Sequence, residues 1–172
     1  MRTIQIALIA ALTMVSAVNA ELNQYLSDKL TRVEKSAIQK VESPTAPQKF
    51  YAFYETASWC GPCQAFTPTL VRFYEVYKEI YGDQFELVVL SYDRSDEKMI
   101  KYATEKKMSF PHLDRSQVSA FETAYPITGQ NLPNLIITDV KGRPLKSAYD
   151  SKGNYVGPEV AMNFLKTQLE KK

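Results

Sequence analysis

Cys60 and Cys63 are the only two cysteines in the chain, and only Gly61-Pro62 separates them. Thiols at this spacing suit disulfide exchange. That reaction needs one thiolate to attack a disulfide sulfur and a second thiol to resolve the mixed disulfide that forms. An unperturbed thiol, of pKa about 8.5, is mostly protonated at neutral pH. If the pair opens a helix, Cys60 lies at its exposed N-terminal end, where unpaired backbone N–H groups and the helix dipole favour a negative charge. Cys63 then lies one turn in, partly covered and within reach. Pro62 fits a first turn because its missing N–H would have no intrahelical partner there. Two other readings of the pair are weaker. A zinc site needs four ligands, or three and a water, and His112 is the only other soft ligand in the chain. An inert structural disulfide across two residues closes a tiny loop and constrains the unfolded chain little. The pair is therefore read as chemical, with no metal and no cofactor.

The elements that must position these cysteines follow from local patterns. Lys49 to Tyr54 is an aromatic-rich run that reads as a buried strand leading into the motif. Beyond it, Leu70, Phe73, Tyr77 and Ile80 recur at helical spacing up to Tyr81, with Pro68 inside the helix and Gly82-Asp83 ending it. Phe85 to Leu90 reads as a second strand, apolar on both faces. Ser95 to Lys107 is a helix with an acidic first turn and a basic last turn, and Ser116 to Ala124 is a short helix. Leu135 to Thr138 and Leu145 to Tyr149 are strands around a Lys141-Gly142 turn. Gly157-Pro158 opens a last helix, with Val160, Ala161, Phe164, Leu165 and Leu169 on its apolar face. His112 reads as a loop residue. Ser91-Tyr92-Asp93 ends a strand near the expected site edge. This order implies an α/β domain, a mixed sheet covered by helices.

The chain has 172 residues, room for one domain with a sizeable core. A formal charge of +2 gives no electrostatic case for nucleic acid. Residues 1 to 20 carry Arg2, an apolar run from Ile6 to Val15 and small residues at Val18-Asn19-Ala20, the pattern of an export signal cleaved after Ala20. An uncleaved membrane anchor is the alternative. Residues 21–48 form an N-terminal extension in which Leu30 to Val33 and Ala37 to Val41 can pair as a hairpin, and residues 49–172 form the main domain. A small exported domain stapled by disulfides uses several dispersed cysteines, which sets this pair apart again.

The stretch Ala57-Ser58-Trp59-Cys60-Gly61-Pro62-Cys63 resembles the active site of thioredoxin-fold oxidoreductases. The run on to Phe66-Thr67-Pro68, with Phe73-Tyr74 beyond, is similar to the tryparedoxin and nucleoredoxin branch and to exported bacterial proteins of that type. Leu132-Pro133 matches the cis-proline before the third strand of that fold. The resemblance implies a thioredoxin-like fold, with Cys60 and Cys63 catalytic. Trp59, Gly61, Pro62, Leu132 and Pro133 would then contact the substrate, and the backbone of Leu132 would pair with it. It further implies disulfide-containing protein substrates in a periplasm-like compartment and an external redox partner, read as a membrane-borne donor, because no third cysteine recycles the pair. Gly-Pro between the cysteines is the spacer of reducing thioredoxins. Where thioredoxin has a buried Asp this chain has Tyr54, and Glu55 beside it points to the opposite face of the strand. A disulfide oxidase or isomerase, and a non-catalytic binding module on the same scaffold, remain as alternatives.

Overall fold

The computed structural model describes residues 22–42, 44–125 and 129–171. The expected export signal, residues 1–20, lies outside the described residues. After a short helix α1 (22–27), β1 (Leu30–Glu34) and β2 (Ala37–Lys40) form the antiparallel hairpin that the sequence suggested. The remaining elements run in order: β3 (Phe50–Thr56), α2 (Gly61–Tyr81), β4 (Phe85–Ser91), α3 (Asp96–Lys106), β5 (His112–Leu113), α4 (Val118–Ala124), β6 (Asn134–Asp139), β7 (Pro144–Lys146) and α5 (Glu159–Glu170). All seven strands share one sheet in the order β2-β1-β5-β4-β3-β6-β7. β3 runs parallel to β4 and antiparallel to β6, so the sheet is mixed.

The period-two alternation of the central strands divides the core into two layers. Ala52 and Tyr54 of β3, Phe85, Leu87 and Val89 of β4, and Leu135 and Ile137 of β6 pack against α2, α3 and α5. Tyr51, Phe53, Val88, Leu90 and Ile136 face the other way, against α1 and α4. On this second face Leu22, Leu26 and Leu30 of the N-terminal segment join the core, and β1 pairs with β5. The extension thus completes one edge of the sheet.

Pro68 lies inside α2 and cannot donate to the carbonyl of Gln64 one turn back. Lys106 of α3 supplies that donor, its Nζ reaching the Gln64 carbonyl at 3.0 Å. The ammonium replaces the missing bond and ties α3 to the first turns of α2.

Three expectations change. Ile80 is 64% exposed; the buried stripe of α2 ends near Tyr74, where the helix passes the end of β4. The strand expected at Leu145 to Tyr149 is β7, Pro144–Lys146, an edge strand on which proline is tolerated. Tyr149 instead forms an isolated bridge to Tyr155. His112 lies in β5, buried between β1 and β4. A two-residue strand after Phe110-Pro111 carries no period that a sequence could display.

Candidate active site

Cys60 is the N-cap of α2, and its Sγ accepts a hydrogen bond from the Cys63 backbone N–H at 3.2 Å. The two cysteines are joined in a disulfide with Cα atoms 5.2 Å apart. Cys60 keeps 6% of its surface exposed and Cys63 none, so an incoming disulfide can reach Cys60 alone. Reduction would leave the Cys60 sulfur at the helix N-terminus, where first-turn N–H groups and the dipole stabilise a thiolate. Both cysteines are more covered than the sequence suggested, because Tyr92 and Leu132 pack against the pair.

Beside Cys60 runs a groove of about 550 Å³ bounded by Trp59, Gly61, Pro62, Tyr92 and Leu132. Trp59 is 62% exposed, and its Nε1 donates to the Tyr92 carbonyl at 3.3 Å. A second depression, of about 390 Å³, lies on the other side of Pro62 and is lined by Phe66, Pro133 and Tyr155. The Leu132–Pro133 peptide is cis. All five residues expected to contact a substrate therefore border one of two hollows, the first of which reaches Cys60, and Pro62 borders both.

Three sets of contacts hold this surface in place. Asp93, buried at the end of β4, accepts from the Ser58 backbone N–H at 3.0 Å and from its hydroxyl at 2.5 Å, fixing the turn before Trp59. Tyr149 Oη accepts the backbone N–H groups of Gln130 and Asn131 at 2.9 and 2.8 Å, while Tyr155 Oη donates to the Pro133 carbonyl at 2.7 Å. Glu55 Oε2 accepts from Asn134 Nδ2 at 2.7 Å and from the Gly129 N–H at 3.1 Å. A Cβ on Gly129 would lie 2.6 Å from Asn134 Nδ2, so this close approach requires glycine. Burial pushes the Glu55 carboxyl up to about 7, against the pull of the bonds it accepts from Asn134 and Gly129 and with the neighbouring Glu122 adding to the rise.

On the opposite face Tyr54 Oη bonds Thr67 Oγ1 at 2.8 Å, and Thr67 Oγ1 also bonds the Cys63 carbonyl at 2.8 Å and Tyr102 Oη at 2.6 Å. Thr56 closes the chain on Tyr102 at 3.2 Å. Burial holds the Tyr54 phenol well above the ordinary tyrosine range. The group beneath Cys63 is thus a neutral hydroxyl network, and Tyr54 offers no base there near neutral pH.

Sequence reasoning missed Tyr149, Tyr155 and Glu122, which belong to no motif and reach the site only through the fold. It passed over Glu55 because that side chain points away from Tyr54, and the geometry bears this out. The available signal was a carboxylate inside a mostly apolar strand, Phe50–Thr56, buried from Tyr51 onward. Among the described residues no group of three or more His, Cys, Asp and Glu is placed to hold a metal ion.

A thioredoxin-like family model matches residues 48–143. Nucleoredoxin of Xenopus laevis is 39% identical over 105 residues, covering 60% of this chain and 25% of that protein. The chain thus spans about a quarter of the nucleoredoxin it matches. Tryparedoxin of Trypanosoma brucei brucei is 31% identical over 116 residues, 67% of this chain and 76% of that protein. The crystal structure of thioredoxin from Wuchereria bancrofti superposes with a TM-score of 0.60 at 27% identity, covering 83% of this chain and 97% of the other. With the fold, the cysteine pair at the head of α2 and these matches in agreement, the chain belongs to the thioredoxin-like oxidoreductase family.

Proposed function

We propose that this protein is a thiol-disulfide oxidoreductase working in the reducing direction on disulfides of exported proteins. The observation that carries the reading is the asymmetry of the pair: Cys60 opens on a groove at a helix N-terminus, and Cys63 is sealed beneath it. In the reduced enzyme the Cys60 thiolate attacks one sulfur of a substrate disulfide. The other substrate sulfur leaves as a thiolate and takes a proton from water. Cys63, as thiolate, then attacks Cys60 Sγ and releases the second substrate thiol. Two electrons have passed to the substrate, and the Cys60–Cys63 disulfide has re-formed. A dithiol donor of another protein, membrane-borne in our reading, must return the two electrons.

Leu132 offers its backbone beside Pro133 for an extended substrate strand, with Trp59, Gly61 and Pro62 forming the opposite wall. The Gly-Pro spacer supports the reducing direction. The leader-like residues 1–20 support export, with the periplasm as the compartment.

Reduction of insulin by dithiothreitol tests the activity. The protein is expected to accelerate it well above background, and Cys60→Ser to return it to background. The same rate with and without Cys60 would overturn the reading in favour of a binding module. A reduction potential near about −270 mV would support the reducing direction, and one near about −120 mV would make the protein an oxidant.

A further inference from the structure

Tyr92 joins the cysteine groove to a pair of carboxylates on the far face of β3. It packs against the cluster of Ala57, Cys60 and Cys63, and its carbonyl holds the Trp59 indole. Its hydroxyl meets two acids, Glu55 Oε1 at 3.2 Å and Glu122 Oε1 in a short contact. A phenol has one proton to donate and can serve only one of two ionised carboxylates. The contacts are all satisfied when one of the two acids keeps a proton, and Glu55, fully buried where Glu122 is only half-buried, is the one that burial favours as its holder. Tyr92 donates to Glu122, a proton on Glu55 Oε1 donates to the Tyr92 oxygen, and Glu55 Oε2 accepts from Asn134 and Gly129.

We infer that Glu55 is a positioning residue for substrate binding, which in its neutral form ties Tyr92 to the Gly129–Pro133 segment beside the Cys60 groove and gives up its bond to Tyr92 when it ionises. The inference rests on the reading of this groove as the substrate site. The groups facing Glu55 are Tyr92 beyond β4, Glu122 of α4, Asn134 of β6 and the Gly129 N–H. Asp93, next to Tyr92, is engaged by Ser58 and Ser91. Among the described residues no Lys or Arg forms an ion pair with Glu55 or Glu122. The cluster therefore holds a surplus of negative charge that a proton relieves, and burial sets the Glu55 transition at about 7, within the working range. Above it the bond from Glu55 to Tyr92 is lost while the bonds to Asn134 and Gly129 strengthen, so the strand stays and the Tyr92–Trp59 wall loosens.

The test compares the full chain with Glu55→Gln, whose amide keeps an acceptor for Asn134 and Gly129 and a permanent donor for Tyr92. Insulin reduction is measured from pH 6 to 8.5. In the unaltered protein KM should rise about fivefold across neutrality, the value of one neutral hydrogen bond. In Glu55→Gln the rise should vanish, with the difference falling on KM rather than on kcat. A pH-independent KM in the unaltered protein, or the same rise in both, overturns the inference. An arm independent of activity follows the Gly129 backbone amide by NMR. Its resonance should titrate near neutrality and stop doing so in Glu55→Gln. A Gly129 amide that does not titrate overturns the inference even if reduction is robust. A titrating amide in a protein without reductase activity would instead count against the proposed function alone.

Discussion

Tyr54 and Glu55 are consecutive residues of β3, both fully buried, and they support the same site from opposite faces of the sheet by different chemistry. Tyr54 belongs to a chain of hydroxyls, Thr56, Tyr102 and Thr67, that ends on the Cys63 carbonyl. Glu55 belongs to a carboxylate cluster that ends on Gly129 and Asn134, either side of Leu132–Pro133, and on Tyr92. A neutral network can be satisfied once and left, since each hydroxyl both donates and accepts. A buried carboxyl must change its partners when its proton leaves. On the proposed reading the resolving cysteine rests on a fixed support, and the substrate groove rests on one that responds to pH.

Truncation should expose the difference most strongly. Glu55→Ala leaves the buried Asn134 amide and the Gly129 N–H without their acceptor, and about 3 kcal/mol of stability should be lost. Tyr54→Phe removes one hydroxyl from Thr67, which keeps Tyr102 and the Cys63 carbonyl, and about 1 kcal/mol should be lost. Urea denaturation at pH 6 measures both. Equal losses would erase the contrast between the two faces.

Acidification should give the next largest effect, through two buried groups of opposite sign. Burial holds the His112 imidazole down to about 4, and neither ring nitrogen has a hydrogen-bond partner. Its unfolded value is 6.5, so the unfolded chain binds more protons from 6.5 down to about 4, and stability falls as pH falls through that window. Glu55 does the reverse. Its pKa is raised from 4.5 to about 7, so the folded chain binds more protons and stability falls as pH rises through that window. Between about pH 4.5 and 6.5 the two slopes nearly cancel. Glu55→Gln removes one of them, and its stability should drop about 2–3 kcal/mol more than that of the unaltered protein between pH 6.5 and 4.5. Tyr54→Phe should leave the pH profile as it was. Parallel profiles for Glu55→Gln and the unaltered protein would show that Glu55 keeps an ordinary acidity.

Most of the frame was legible before the fold was known, because its signals are local. The cysteine motif, Pro68 within α2, the aromatic and apolar runs of β3 and β4, and the acidic start and basic end of α3 each lie within a few residues of sequence. The hairpin of β1 and β2 was visible as two short runs flanking a turn. What escaped was set by distance in sequence. β5 exists because β1 and β4 flank it. Tyr149 and Tyr155 reach the proline strand through their own cross-bridge, and Glu122 meets Tyr92 only because α4 docks on the second face. The parity of β3 correctly separated Glu55 from Tyr54, but parity alone does not say what waits on the other face. That answer needed the antiparallel register that sets Glu55 opposite Asn134.

The central claim is the division of labour between the two cysteines, and mixed-disulfide trapping tests it most directly. Reduced Cys63→Ser and reduced Cys60→Ser are each mixed with a disulfide-containing protein and resolved without reductant. Cys63→Ser should accumulate a covalent complex through Cys60, because nothing remains to resolve it, and Cys60→Ser should accumulate none. Equal trapping by both variants, or trapping by Cys60→Ser alone, would contradict the assignment of Cys60 as the attacking thiol.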